Sequence, residues 1–282
     1  MLMTGHHTIA FVNDELKAPL AATIAFAREH AVSAVEVRSI EGRNFLDLLP
    51  GEQKAVADQL AVAGLSVVGL ASPLLKWSAP GHAAGNKGDQ FGFDIGTRSL
   101  GDIARLAAEA AHILGTRNVR IFSYLTHDGF TIRDLAPAIE ELIRIAERED
   151  LVLHVENEPV CNLRDERDLL ALMQAFPHPR LRALLDIGNI YGAAVQPKAE
   201  RLAALMPFVD HMHFKDAAFA GGRRTVAMGE GEIPYTAFMT ACFAAAEGRS
   251  LTLSVETHVP ADPVGATQRS LAALKALVAA TS

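Results

Sequence analysis

The chain is poor in cysteine, in tyrosine and tryptophan, in net positive charge and in long apolar runs, and each shortage excludes something. Its two cysteines, Cys161 and Cys242, lie far apart and without CxxC spacing. A disulfide framework or a thiolate metal cluster is therefore not expected; the pair reads as reduced thiols of a cytoplasmic protein. Lysine and arginine number 26 against 33 acids, a formal charge of −7. That balance argues against a surface built for nucleic acid or an anionic membrane. No apolar run approaches the roughly 18 residues that would suggest a membrane span. The opening residues, with His6 and His7 among them, lack the apolar core of a secretion signal and read as solvated. No low-complexity tract or interdomain linker is visible.

Half of the 282 residues are apolar, enough for a sizeable core, and one domain spanning residues 1–282 is the expectation. Apolar runs alternate with helical patterns throughout. Strands are predicted at 8–12, 34–38, 65–70, 118–122, 151–156, 181–186, 209–214 and 251–256. Helices are predicted at 16–30, 50–63, 97–115, 132–148, 165–176, 197–206, 235–247 and 263–279. Eight such alternations imply a parallel sheet, and eight units suggest closure into a (β/α)8 TIM barrel. An open doubly wound sheet is the competing fold, but no Gly-rich phosphate turn follows the first strand. The stretch 71–96 breaks every pattern, holding Pro73, Pro80, Lys76, Trp77, His82 and Lys87. So long a loop, placed over the C-terminal face, points either to a misplaced element boundary or to a functional lid.

The stretch Val-Asp-His-Met-His-Phe-Lys-Asp at 209–216 organises the functional reading. On a strand, His211, His213 and Lys215 share one face and Met212 and Phe214 the other. Three other apolar runs end in an acid: Glu156, Asp186 and Glu256. Any one of these is accounted for by a helix cap or a salt bridge; four ends in four consecutive predicted strands are harder to explain that way. In a barrel the four would converge over one quadrant of the top face. Glu156, Asp186, His213 and Glu256 offer three carboxylates and one imidazole, a set that suits one divalent ion, whether manganese, magnesium, cobalt, iron or zinc.

The strings Val-Glu-Asn at 155–157, Leu-Asp-Ile-Gly at 185–188, His-Met-His-Phe-Lys-Asp at 211–216 and Val-Glu at 255–256 resemble the sugar phosphate isomerase/epimerase family of xylose isomerase-like TIM barrels. The likeness extends to Val-Glu-Val-Arg at 35–38, Ser-Pro-Leu-Leu-Lys at 72–76 and Gly-Glu-Gly at 229–231, nearly end to end. It implies Glu156, Asp186, His213 and Glu256 as metal ligands and Glu156 and Glu256 as the acid–base pair. In that chemistry a proton leaves carbon beside a carbonyl, and a bound cation stabilises the resulting enediolate charge. Two positions depart from the ketose 3-epimerase pattern: Asn189 stands where relatives carry histidine, and Lys215-Asp216 stands near where they place an arginine.

Candidate substrate contacts are Lys215, Glu158, Asn189, His127, Arg38, Lys76 and His211. Competing roles are a salt bridge of Lys215 with Asp216 or with a neighbouring strand, a Glu36–Arg38 pair, and barrel-interior packing for His154 and His211. The leading expectation is a metal-dependent isomerase or epimerase of a small carbohydrate or keto-sugar. A lyase or dehydratase acting on an inosose or keto-glycoside shares the first step. A phosphodiester-cleaving relative would need more histidines and a basic surface; a non-catalytic sugar-binding barrel would need no metal. A homo-oligomer stays open, since Ala-rich helical faces such as 103–114 suit either the outer ring or a second subunit.

Overall fold

A computed structural model describes residues 7–83, 85 and 87–281; His6 lies outside them. Eight parallel strands form a closed barrel: β1 (Thr8–Val12), β2 (Ala34–Val37), β3 (Ser66–Leu74), β4 (Asn118–Ile121), β5 (Val152–Glu156), β6 (Leu181–Asp186), β7 (Val209–Phe214) and β8 (Thr252–Val255). Each strand pairs with its sequence neighbours, and β8 closes on β1 with Thr8 opposite Thr252 and Phe11 opposite Val255. The connecting helices are α1 (Leu20–Glu29), α2 (Pro50–Val62), α3 (Leu100–Leu114), α4 (Ala136–Arg148), α5 (Glu166–Ala175), α6 (Ile187–Gly192), α7 (Ala199–Leu205), α8 (Tyr235–Ala245) and α9 (Pro263–Thr281). No helix among the described residues is long and apolar enough to cross a membrane.

Local chemistry sets the ends of these elements. Ser99 accepts from the Asp102 amide while Asp102 reaches back to the Ser99 amide, a reciprocal cap that starts α3. Gly115, at φ 71, ends it in the left-handed conformation that glycine adopts without strain. Between the caps α3 buries Ile103, Ala104, Ala107, Ala108, Ala111 and Leu114 on the face that meets β3 and its helical neighbours. Small alanines let the helix lie close to the sheet. Both cysteines are free and buried.

Three boundaries differ from expectation. β3 runs on to Leu74, into the stretch expected to be loop. Its pairing with β4 is irregular between Leu70 and Leu74, so Pro73 sits where ladder pairing is already interrupted. The Gly-rich stretch 221–234 contains Arg224–Val226, paired antiparallel with Asp216–Ala218. The connection after β2 carries a small ribbon, Ser39–Ile40 against Arg43–Asn44. His7 is half-buried and not simply solvated: its ring stacks on Phe243 at 4.4 Å and its Nδ1 accepts from the Leu251 amide.

The strand period of two sorts the barrel. Leu153, Val155, Met212, Phe214, Leu253 and Val255 are fully or nearly fully buried apolar residues. The alternate positions carry Arg120, His154, Glu156, His211, His213, Ser254 and Glu256, all at most 3% exposed. Charged residues are rarely buried to this degree unless paired, so the pairing decides what the interior can do.

Candidate active site

Glu156 ends β5, Asp186 ends β6, His213 is next to last in β7 and Glu256 follows β8. Register brings them level: Asp186 lies opposite His213, and Ser254 opposite His213 on the other side. The Glu256 amide continues the ladder by donating to the Phe214 carbonyl at 2.9 Å. Asn157 ties the β5 and β6 ends together, accepting from the Asp186 amide and donating to its carbonyl at 2.9 and 2.8 Å. One donor atom from each of the four side chains falls within 4.8 Å of the others. His213 Nδ1 stands 3.4 Å from both Glu156 Oε1 and Glu256 Oε2.

Two atoms of this cluster test its suitability for a cation. His213 Nδ1 and Asp186 Oδ2 are buried and have no hydrogen-bond partner. Buried polar atoms are seldom left so. An unpaired imidazole nitrogen and carboxylate oxygen beside two more carboxylates are what a divalent ion would satisfy. Asp186 Oδ2 is 2.9 Å from the Lys215 ammonium, close enough for ion pairing but outside hydrogen-bond geometry.

Four cations surround the acids. Lys215 Nζ donates to Glu256 Oε2 at 2.7 Å. Arg120, on β4, reaches Glu156 Oε2 at 3.1 Å and donates to the Ala71 and Ser72 carbonyls. Arg38 donates to Glu256 Oε1 at 2.5 Å and is itself held by Asp14 and Glu15. Lys76 pairs with Glu158 at 2.9 Å. Burial raises the Asp186 carboxyl, and despite the Lys215 ammonium it stands at about 6. For Glu156 burial acts upward too, but Arg120 and His213 outweigh it and hold the carboxyl below its usual range. Burial would lower the Lys215 ammonium; Asp186 and Glu256 instead push it well above normal.

A cavity of about 1080 Å³ opens beside the cluster, with Arg38, Lys76, Phe91, Glu158 and His258 in its wall. None of the four clustered side chains lines it; of the wall residues, Arg38 donates to Glu256 and His258 Nε2 stands 3.4 Å from the same carboxylate. Phe91 comes from the long loop after β3. Its left-handed backbone, φ 56, is held by Asp89, which accepts from the Phe91 amide at 2.7 Å. Arg38, Lys76 and Arg120 lie over its ring at 4.6, 4.5 and 5.0 Å. Trp77, from the same loop, packs against the core.

Sequence reasoning placed Lys76, Glu158 and Arg38 at this mouth, and the structure brings them together there. Several expected contacts are spent elsewhere. Arg38 and Glu36 do not pair with each other: Arg38 turns to Glu256, and Glu36 accepts from His213. Of the two salt-bridge expectations for Lys215, the one to a neighbouring strand is met, by Asp186 and Glu256; Asp216 instead accepts from the Gly229, Gly231 and Ile233 amides. His211 lies deeper, 2.7 Å from Ser254 Oγ, and lines no part of the cavity. Asn189 donates to Glu156 at 3.2 Å and to the Asn157 carbonyl. His127 stacks on His82 at 3.9 Å and does not reach the cavity wall.

Arg120, Phe91 and His258 were not singled out from sequence. A lone arginine in the apolar run of β4 was the available signal, because a buried guanidinium needs an acid.

The profile of the xylose isomerase-like TIM barrel matches residues 24–277. The chain belongs to the xylose isomerase-like TIM barrel family. Among solved structures it is similar to the probable 3-DHS dehydratase of petrobactin synthesis from Bacillus anthracis, at 16% identity and a TM-score of 0.71, over 95% of this chain and 98% of that one. It is also similar to the IOLI protein with a bound zinc atom, at 16% identity and TM-score 0.73, over 98% and 99% of the chains. An L-ribulose 3-epimerase matches at 15% identity and TM-score 0.73, over 98% and 96%. At such identities these likenesses speak for the xylose isomerase-like barrel itself and not for an activity. No curated protein matches the sequence.

Proposed function

We propose that the protein is a divalent-metal-dependent isomerase or epimerase of a small carbohydrate or keto-sugar, working by proton transfer at a carbon next to a carbonyl. The observation that carries the reading is the cluster of Glu156, Asp186, His213 and Glu256, with two of its buried atoms lacking a hydrogen bond. These four would hold the ion. When bound, it supplies positive charge for the substrate's carbonyl and neighbouring oxygen.

The chain's own groups do the rest. Glu156 and Glu256 come from opposite sides of His213, each 3.4 Å from its Nδ1, and are the acid–base pair. Arg120 and Arg38 keep the two carboxylates ionised and fix which oxygen of each faces inward. Lys215, a buried ammonium beside Asp186 and Glu256, would be the chain's group to take a substrate oxygen. Lys76, Glu158 and Phe91 line the entrance. A lyase or dehydratase reading keeps the same first step, and the dehydratase among the similar structures favours carrying it forward.

Ligand-proton exchange in deuterated water tests the proposal. With protein loaded with manganese or magnesium, NMR across a panel of ketoses, inososes and keto-glycosides should show deuterium entering next to a carbonyl. Glu256→Gln should abolish that exchange while the circular-dichroism spectrum is retained. Full exchange in this variant removes Glu256 from the mechanism; binding without exchange throughout the panel favours a sugar-binding barrel.

A further inference from the structure

His213 is the only nitrogen ligand in the candidate set, and an imidazole can offer a given nitrogen to one partner only. Its Nε2 is already engaged, 2.8 Å from Glu36 Oε2. Glu36 comes from β2, across the barrel from β7, and is 1% exposed. The β2–β3 register slips between Val35 and Glu36, which face Val67 and Gly69. A bulge of this kind re-aims a side chain, and here the chain re-aimed is Glu36. His211 also approaches the same carboxylate oxygen, at 3.4 Å, but has a closer partner in Ser254 Oγ at 2.7 Å.

We propose that Glu36 is a positioning residue that holds His213 as an Nδ1 donor to the cation site and thereby sets how tightly a divalent ion is retained. The proposal rests on the metal-site reading above. With a carboxylate accepting the Nε2 proton, the ring is locked in one tautomer and one orientation. In the neutral ring the Nδ1 lone pair would face Glu156 and Glu256, whose oxygens lie 3.4 Å away. The accepting carboxylate also raises the basicity of the ligating nitrogen.

Titration calorimetry of the full chain with manganese and with zinc gives the test, with Asp186→Asn as the comparison that removes a ligand outright. Glu36→Gln, which keeps an acceptor but loses the charge, should weaken the ion by about tenfold, and Glu36→Leu by up to about a hundredfold. Long-range proton–nitrogen NMR of the zinc-loaded wild type should find the His213 proton on Nε2. A wild type that takes up neither ion overturns the metal-site reading and this proposal with it. Binding that Asp186→Asn loses but both Glu36 variants keep at wild-type strength overturns this proposal alone, as does a His213 proton on Nδ1. Should Glu36→Leu fail to fold, the glutamine variant and the nitrogen spectrum still decide.

Discussion

The Lys215 ammonium and Glu256 Oε2 are 2.7 Å apart, and the same ammonium lies 2.9 Å from Asp186. A lysine so placed competes with any cation for two of the four candidate ligands. Two positive charges about 5 Å apart repel by roughly 3 kcal/mol per unit charge at an effective dielectric of 20. Lys215→Gln should therefore tighten divalent-ion binding by about ten- to a hundredfold, read by calorimetry at fixed pH and salt. Unchanged or weaker binding would show that the ammonium does not oppose the ion.

Arg120 balances Glu156 in the metal-free interior, and both side chains are 1% exposed. Arg120→Met leaves that carboxylate buried without its guanidinium. Breaking such a pair from one side costs about 3–5 kcal/mol, so the melting temperature should fall by about 10 °C. Added divalent ion should restore part of the loss. A melting curve matching wild type would place the balancing charge elsewhere.

Gly231 packs on Asp216, and a methyl group built there would meet Asp216 Oδ1 at 2.1 Å and the Ala217 carbonyl at 2.7 Å. Asp216 cannot retreat without dropping the Gly229, Gly231 and Ile233 amides it accepts. Gly231→Ala should cost about 1–3 kcal/mol, as overpacking does, measured by urea unfolding. A neutral result would mean that the turn shifts freely.

Burial holds the His154 imidazole down to about 4 from an ordinary 6.5. The unfolded chain takes this proton as pH falls through 6.5, while the folded chain refuses it until about 4. Stability is therefore present above pH 6.5 and is lost on acidification, by up to about 1.4 kcal/mol per pH unit between those values. Melting temperatures of metal-free protein between pH 7 and 4.5 should show the decline, and His154→Leu should flatten it. An equal slope in the variant assigns the decline to other groups.

The barrel and the four clustered residues were legible because both are written locally. A period of two in β5 to β8, with an acid or histidine at each end, is a pattern within a few residues of chain. The partners of those residues were not legible, because they meet only after closure: Glu36 and His213 are 177 residues apart, and Arg38 and Glu256 are 218 apart. Lys215 illustrates the difference. Its face followed from spacing, and a salt bridge to Asp216 or to a neighbouring strand was the expectation, but that the partners are Asp186 and Glu256 is settled only once the barrel closes. Pro73 misled in another way. It reads as a strand stop, yet β3 carries it across an irregular stretch of pairing.

The seam between β1 and β8 has a bearing on biosynthesis. Glu256 is held by Arg38, and Glu15 in turn accepts from Arg38 and from the His258 amide, so the last of the four donors depends on side chains from the beginning of the chain. A nascent polypeptide lacking its eighth strand would present three donors, an uncovered sheet edge along β1 and another along β7. Assembly of the four-donor cluster is thus tied to closure of the ring between β1 and β8.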